Sequence, residues 1–421
     1  MKFNKWTVGL AAIGVVSLAS AARADEKMSP VQTALSNTTL SGYVDVSAQW
    51  NLSQQNGFYG VWGNTPKYAY GGINKADGFN LNAVDIALDK PQDESPWAAG
   101  YHVELVAGPD NPAKLNLGTI GPIPTGPIVS QVSSPLVGIR QAYVTLRTPV
   151  GNGIDWKFGV FDTIIGYEST SSPLNPNYTR SYGYSMEPTT HTGILASYKV
   201  GDVLTLTAGV ADGSNVGGTI VQPINGRGAL ETQKAYMGAI AITAPDSWGA
   251  MKGATFNLGA INAVSANMVG TVSGGLVNSF GTTSLYAGMV LPTPSSALKF
   301  GAAFDYLELH NKTAANPGCD STWNVAVYGN VQATDKLSFN LRAEYLDDRA
   351  GIFYPNANLD NKAEEITFTT QYNLWANVLS RVEFRWDHVE HGNAFDQTTQ
   401  TSFTPNKANA FMLAFNVIYQ F

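Results

Sequence analysis

Arg381, Glu383, Arg385 and Asp387 occupy every second position of the run 378–390, with Val382, Phe384 and Trp386 between them. A period of two places the charges on one face of a β-strand and the apolar residues on the other. The run from 337 to 348 repeats the pattern, with Ser338, Asn340, Arg342 and Glu344 on one face and Leu337, Phe339, Leu341 and Tyr345 on the other. Thr367, Thr369 and Gln371 continue it on the strand between, and Lys157 and Arg147 offer cations from the first half of the chain. Charges on such a face cannot point into hydrocarbon, where each costs about 2–4 kcal/mol at the bilayer midplane. They must line water. Guanidinium and carboxylate groups around a water-filled lumen either filter ions or pair across strands and brace the wall, and the two roles are compatible.

Covalent chemistry has little to work with. The five histidines are His102, His191, His310, His388 and His391, and no G-x-S-x-G stretch is present to supply an activated serine. His191 sits between Thr190 and Thr192, where a hydrogen bond anchoring a loop is the simpler expectation. The stretch WDHVEH (386–391) could present metal ligands at a strand end, although a solvated rim explains it as well. No Cys/His group has zinc spacing, and the single cysteine, Cys319, has no partner within the chain. Neither an enzyme nor a bound cofactor or metal is expected.

Elements that could position such faces follow from composition. The 421 residues include 42 glycines and 11% aromatics but only 14% charged residues, against about 25% in ordinary soluble domains. Runs of period two, bounded by Gly, Pro, Asn and Asp, predict strands near 40–52, 78–90, 97–108, 138–148, 154–163, 191–200, 203–212, 234–244, 254–264, 281–291, 298–309, 322–333, 337–348, 363–374, 378–390 and 407–421. Their connections alternate between short and long. Short ones include PQDESP (91–96), PVGNG (149–153), VGD (200–202), PTPSS (292–296) and ATD (333–335), while long ones run 53–77, 109–137, 164–190, 213–233, 265–280, 310–321, 349–362 and 391–406. Eight long loops are foreign to a compact soluble domain. An all-β, transmembrane antiparallel β-barrel of about 16 strands, with short periplasmic turns and long extracellular loops, satisfies the alternation, the low charge and the even count.

Residues 1–24 carry Lys2 and Lys5, an apolar run from Val8 to Leu18, and Ala22-Arg23-Ala24. That is the layout of a signal peptide cleaved after Ala24. Removal takes three bases and no acid, leaving 22 bases against 32 acids, so nucleic acid is not an expected partner. Residues 25–39 form a short periplasmic segment and 40–421 the barrel, placed in the outer membrane of a Gram-negative-type bacterium. The final stretch, FMLAFNVIYQF, alternates Phe411, Leu413, Phe415, Val417, Tyr419 and Phe421 on one face. Pairing it with the first strand leaves no open edge.

One connection is unlike the others. Residues 164–190, between strands five and six, hold Tyr167, Tyr178, Tyr182 and Tyr184 together with Glu168, Arg180 and Glu187. In sixteen-stranded porins the loop at this place folds inward and sets acids against a basic wall. By that analogy Glu168 and Glu187 would oppose Arg342, Arg381 and Arg385 across an eyelet, with a transverse field between them. The tyrosines would suit a slide for sugars, the arginines a path for anions. Packing of the loop as a plug or latch is the alternative.

The same region carries a specific resemblance. Phe161-Asp162-Thr163, then Gly166-Tyr167-Glu168, then Asn177-Tyr178-Thr179-Arg180-Ser181, then PTTHTG from Pro188 to Gly193, resembles the OmpL-like outer-membrane β-barrel porins. The match is sharp over roughly residues 138–215; elsewhere strand rhythm and the terminal Phe421 agree. The resemblance implies a passive channel for small hydrophilic solutes or ions, with outer-membrane lipids around it, and leaves a homotrimer open. Glu168, Arg180, Glu187, Lys157, Arg342, Glu344, Arg381, Glu383, Arg385 and Asp387 are the expected lining and constriction residues. Competing readings are a structural tether or adhesin barrel and, less well supported, an outer-membrane hydrolase. Only residues 25–39 stand before the first strand, too few for a folded tethering module.

Overall fold

The computed structural model describes residues 37–52, 77–110, 137–214, 224–226, 232–267, 278–293, 295, 297–310, 320–353, 362–399 and 402–421. The expected signal peptide (1–24), nearly all of the 25–39 segment, Cys319 and much of the long loops lie outside these residues.

The strands are β1 (Thr39–Asn51), β2 (Gly78–Lys90), β3 (Ala99–Ala107), β4 (Val137–Thr148), β5 (Ile154–Asp162), β6 (Thr190–Lys199), β7 (Leu204–Ala211), β8 (Ala235–Thr243), β9 (Thr255–Asn267) and β10 (Asn278–Pro292). They continue with β11 (Leu298–His310), β12 (Asp320–Gln332), β13 (Leu337–Asp348), β14 (Lys362–Trp375), β15 (Val378–Val389), β16 (Phe395–Thr399), β17 (Ser402–Lys407) and β18 (Asn409–Gln420). Sixteen of them, β1–β15 and β18, close into one antiparallel barrel in which every strand pairs with its sequence neighbours and β18 returns to β1. The seam has Val44 opposite Tyr419 and Ala48 opposite Phe415. Gly42 and Phe421 exchange two backbone hydrogen bonds of 3.0 Å, so the edge suggested by FMLAFNVIYQF is paired.

Two connections differ from expectation. The last long loop contains the separate hairpin β16–β17, which pairs outside the barrel. The turn from β8 to β9 is longer than its counterparts and winds through a 3₁₀ segment at Asp246–Met251.

Alternation decides which side chains meet lipid. Val325, Val327, Leu341, Val382, Phe384, Phe415 and Val417 point outward and are exposed. Trp50 and Tyr236 near the long-loop end, and Trp375 and Tyr419 near the short-turn end, make the aromatic girdles that interfaces favour. The inward face holds the buried polar residues, including Asp45, Asn324, Arg342, Glu365, Arg381, Glu383 and Arg385.

Apart from a register shift beside the β14–β15 turn, bulges among the described residues break the alternation between β3 and β4 and between β1 and β2. Between β3 and β4, Glu104 pairs with Gln141 and Leu105 with Ile139, so Arg140 is the extra residue. Arg140 and Gln141 therefore both turn inward, at 6% and 7% exposure. Between β1 and β2 the same shift turns both Asn82 and Ala83 inward.

Candidate functional site

Residues 163–189 leave β5, cross the barrel interior and return to β6. Such a segment brings peptide groups into a space with few backbone partners, and each must be satisfied. The charged wall of β13–β15 supplies what is missing. Glu383 accepts the amides of Tyr178 and Thr179, the latter at 2.8 Å, and Glu344 accepts that of Tyr182 at 2.9 Å. Arg342 Nη1 donates to the Thr179 carbonyl at 2.8 Å, Arg385 Nη1 to that of Arg180 at 2.7 Å, and Arg381 Nη2 to those of Ser172 and Asn175. Asn177 Nδ2 bonds Thr369 Oγ1 at 2.7 Å. Each charge-assisted bond is worth about 1.5–3 kcal/mol, so the loop is fixed to this wall along its whole middle.

The loop supports itself from within. A short helix, α1 (Tyr182–Met186), starts at Ser181, whose hydroxyl accepts from the Tyr184 amide at 2.9 Å. Glu168 accepts the Ser181 amide at 2.9 Å. Arg180 donates to the Tyr178 and Thr170 carbonyls and lies over the Tyr184 ring. His191 holds the loop's base, with Nε2 at 3.2 Å from Thr163 Oγ1. Apolar loop residues pack on the opposite wall, where Ile165 joins Leu195, Met237, Ile261 and Tyr286 in one buried cluster. Tyr167 stacks on Tyr328 of β12 at 4.0 Å between ring centres. Its hydroxyl stands where a side chain at Gly301 would go, 1.9 Å from the position of a β-carbon there.

Most of the expected site residues are thus brought together, but as a clamp. Arg342, Arg381 and Arg385 are no more than 2% exposed. The expected gap between loop acids and wall arginines is replaced by contact, because Arg342 Nη1 lies 2.9 Å from Glu168 Oε1. Arg342 also reaches Glu344 and Glu365, and Arg385 is paired with Asp387 at 2.7 Å. A transverse field needs separated charges, and here they neutralise one another. The sugar slide fails for a similar reason: Tyr178, Tyr182 and Tyr184 are buried, and Tyr182 donates its hydroxyl to Asp387. Glu187 faces Asp305 of β11 instead of an arginine, and burial together with that carboxylate raises its pKa well above the ordinary value. In WDHVEH, Asp387 points inward to Arg385, whereas His388 stacks on Trp386 and bonds Asn409.

Lys157 is placed differently. It projects from β5 on the wall facing the loop, half-buried, with Nζ 4.2 Å above the Tyr143 ring. Around it the inner faces of β2–β5 carry a mixed charge network. Arg140 Nε lies 2.6 Å from Glu104 and its Nη1 2.9 Å from Asp162. His102 lies between Asp89 and Glu104 at 3.0 and 3.3 Å. Asp89 and Asp162 each keep 34% of their side-chain surface open, and Thr170 of the loop reaches Asp162 at 3.3 Å. Sequence reasoning passed over this network. The alternation Asp85, Ala87, Asp89 and the pair His102, Glu104 were legible as inward faces, but Arg140 falls out of phase through its bulge.

With this geometry in place, likeness to known proteins becomes interpretable. The family described as "Putative beta-barrel porin-2, OmpL-like" matches residues 37–421. No curated protein matches the chain in sequence. Among solved structures, the barrel resembles the outer membrane channel DcaP of Acinetobacter baumannii (12% identity, 91% of this chain and 97% of that one, TM-score 0.56). It resembles the anion-selective porin of Comamonas acidovorans to a similar degree (12%, 91% and 99%, 0.55), and the trimer form of OmpT of Vibrio cholerae (13%, 91% and 99%, 0.55). At such identities these likenesses speak for the fold.

Proposed function

We infer that this chain, which belongs to the OmpL-like beta-barrel porin-2 family over residues 37–421 and is an outer-membrane porin, passes small hydrophilic solutes or ions by passive diffusion. The solute path runs along the inner faces of β2–β5, between that wall and the edge of the inserted loop. The observation that carries this assignment is the contrast in burial between the two charged walls. Arg342 and Arg385 are wholly enclosed beneath the loop, whereas Asp89, His102 and Asp162 keep part of their surface open. Ions sample charges they can approach through water, so the filter belongs to the open wall. Glu344, Glu383, Arg381 and Asp387 then act as supports of the loop, together with Glu168, Arg180 and Glu187, and Lys157 is the member of the expected set that meets solute.

The assignment has no catalytic residue in it. His191 and His388 are engaged with Thr163 and Asn409, and His310 with Thr283. A homotrimer in outer-membrane lipid is the assembly we propose, supported by the likeness to a porin whose trimer form is known.

Single-channel recording of refolded protein lacking residues 1–24 in a planar bilayer, with reversal potential under a salt gradient, tests the function. Discrete steps are expected. Absence of steps from protein shown to be folded would mean that the loop seals the barrel, and a structural role would replace the channel.

A further inference from the structure

Several buried side-chain oxygens find no hydrogen-bond partner among the described residues, and two of them belong to residues that stand side by side beneath α1. Asp305 of β11 and Asn324 of β12 stand directly opposite each other in the ladder, both on the inner face. Gly183 lies over them so closely that a β-carbon there would sit 2.3 Å from Asp305 Oδ2 and 3.2 Å from Asn324 Nδ2. Glu187, the residue that ends α1, lies against Asp305 from the loop side, and its Oε2 abuts Gly166. The Asn324 amide nitrogen is spent on Glu344 Oε1 at 2.9 Å, which leaves Oδ1 as an acceptor. Asn324 Oδ1, Asp305 Oδ1 and the hydroxyl of Ser284, the next inward residue along β10 from Tyr286, which faces Asp305, find no hydrogen-bond partner among the described residues. Asn324 and Asp305 are 0% and 3% exposed.

Charge is out of balance at the same place. Glu168, Glu187, Asp305, Glu344, Glu365, Glu383 and Asp387 share the barrel interior with Arg180, Arg342, Arg381 and Arg385. Arg342 and Arg385 are already engaged by Glu168, Glu344, Glu365 and Asp387. Neither Glu187 nor Asp305 has a cationic partner among the described residues. Two touching carboxylates out of water are strongly unfavourable when both are ionised, so the pair, which is hydrogen-bonded, either shares a proton or takes a cation. The oxygens present, two carboxylates and an amide carbonyl, are the hard donors that a hard cation takes.

We propose that Glu187, Asp305 and Asn324 form a binding site for a hard divalent cation of the calcium type, which fastens the returning arm of the loop to β11 and β12. Calcium suits the place better than magnesium because it accepts irregular oxygen shells, with water completing the coordination. The site lies apart from the solute wall of β2–β5 and does not depend on that assignment.

Terbium luminescence tests it, because Tyr182 and Tyr184 of α1 and Tyr286 beside Asp305 are near enough to sensitise a lanthanide in this pocket. The protein is refolded without lipopolysaccharide, which binds divalent ions itself, stripped with chelator, and titrated with terbium and then calcium. Saturable emission displaced by calcium is expected, with affinity falling at least ten-fold in Asp305→Asn and in Glu187→Gln and unchanged in Glu364→Gln on the outer face. Folded wild-type protein, judged by its heat-modifiable gel mobility, that gives no calcium-displaceable emission would overturn the site, whether or not the variants fold. So would equal affinity in the two carboxylate variants, or a melting temperature that is the same in chelator and in calcium, the latter meaning that the pair shares a proton instead.

Discussion

Arg342 and Glu168 touch at 2.9 Å with neither side chain more than 1% exposed. A wall residue and a loop residue, 174 positions apart, share one buried ion pair. Removing one partner of such a pair leaves the other uncompensated, at a typical cost of about 3–5 kcal/mol. Arg342→Met should therefore lower the urea midpoint of the refolded barrel strongly. Arg342→Lys should recover little of it, since a single ammonium cannot serve Glu168, Glu365 and the Thr179 carbonyl together.

Ion selectivity should respond to Lys157 and be insensitive to Arg381 and Arg385. A unit charge about 6 Å from a permeating ion in water is worth about 0.7 kcal/mol, or about a three-fold change in permeability ratio. Lys157→Gln should shift the reversal potential toward cations by about that factor. Arg385→Gln should leave the ratio near its starting value and appear in stability. The opposite pattern would return the filter to the β13–β15 wall.

Deleting the middle of the loop, residues 170–181, should widen the channel and expose the charged wall to water. A larger single-channel conductance is expected, with new sensitivity to Arg381 and Arg385 as they come into contact with solute. Unchanged conductance would show that the loop does not bound the path.

Stability in chelator should depend on pH through Glu187. Burial, then the charge of Asp305, hold its pKa above the ordinary 4.5, so the folded state keeps a proton that the unfolded chain has released. The associated stability is complete below about pH 4.5 and is lost as pH rises through the folded value, with a slope of at most about 1.4 kcal/mol per pH unit. Urea midpoints measured from pH 4 upward should fall in wild type and fall less in Glu187→Gln. Equal slopes in the two proteins would remove Glu187 as the titrating group.

The barrel was largely legible because period two repeats in every strand. The run 78–90 is found at Gly78–Lys90, and 337–348 at Leu337–Asp348. The hairpin Phe395–Thr399 with Ser402–Lys407 was not, since its short runs of Thr, Asn and Gln read as loop. For the site, the residue types were readable and the spatial relation was not. Arg342, Arg381, Glu344 and Glu383 declare an inward polar face, but whether such a face meets water or peptide depends on where a distant loop lies. Tyr178 and Thr179 are bound through their amides, and every residue but proline offers the same amide, so no side-chain pattern announces the contact. Arg140 escaped for a local reason, the extra residue in β4 that shifts its phase.

The partners of the loop set an order on assembly. Residues 163–189 emerge well before the strands whose Arg342, Glu344, Arg381, Glu383 and Arg385 satisfy their peptide groups. Until β13–β15 arrive, eight buried-to-be amides and carbonyls have only water to bond with, and a partly built sheet carrying them is poorly suited to enter hydrocarbon. The loop thereby couples the first half of the chain to its last quarter in time as well as in space, and favours insertion of the wall and its filling as one event.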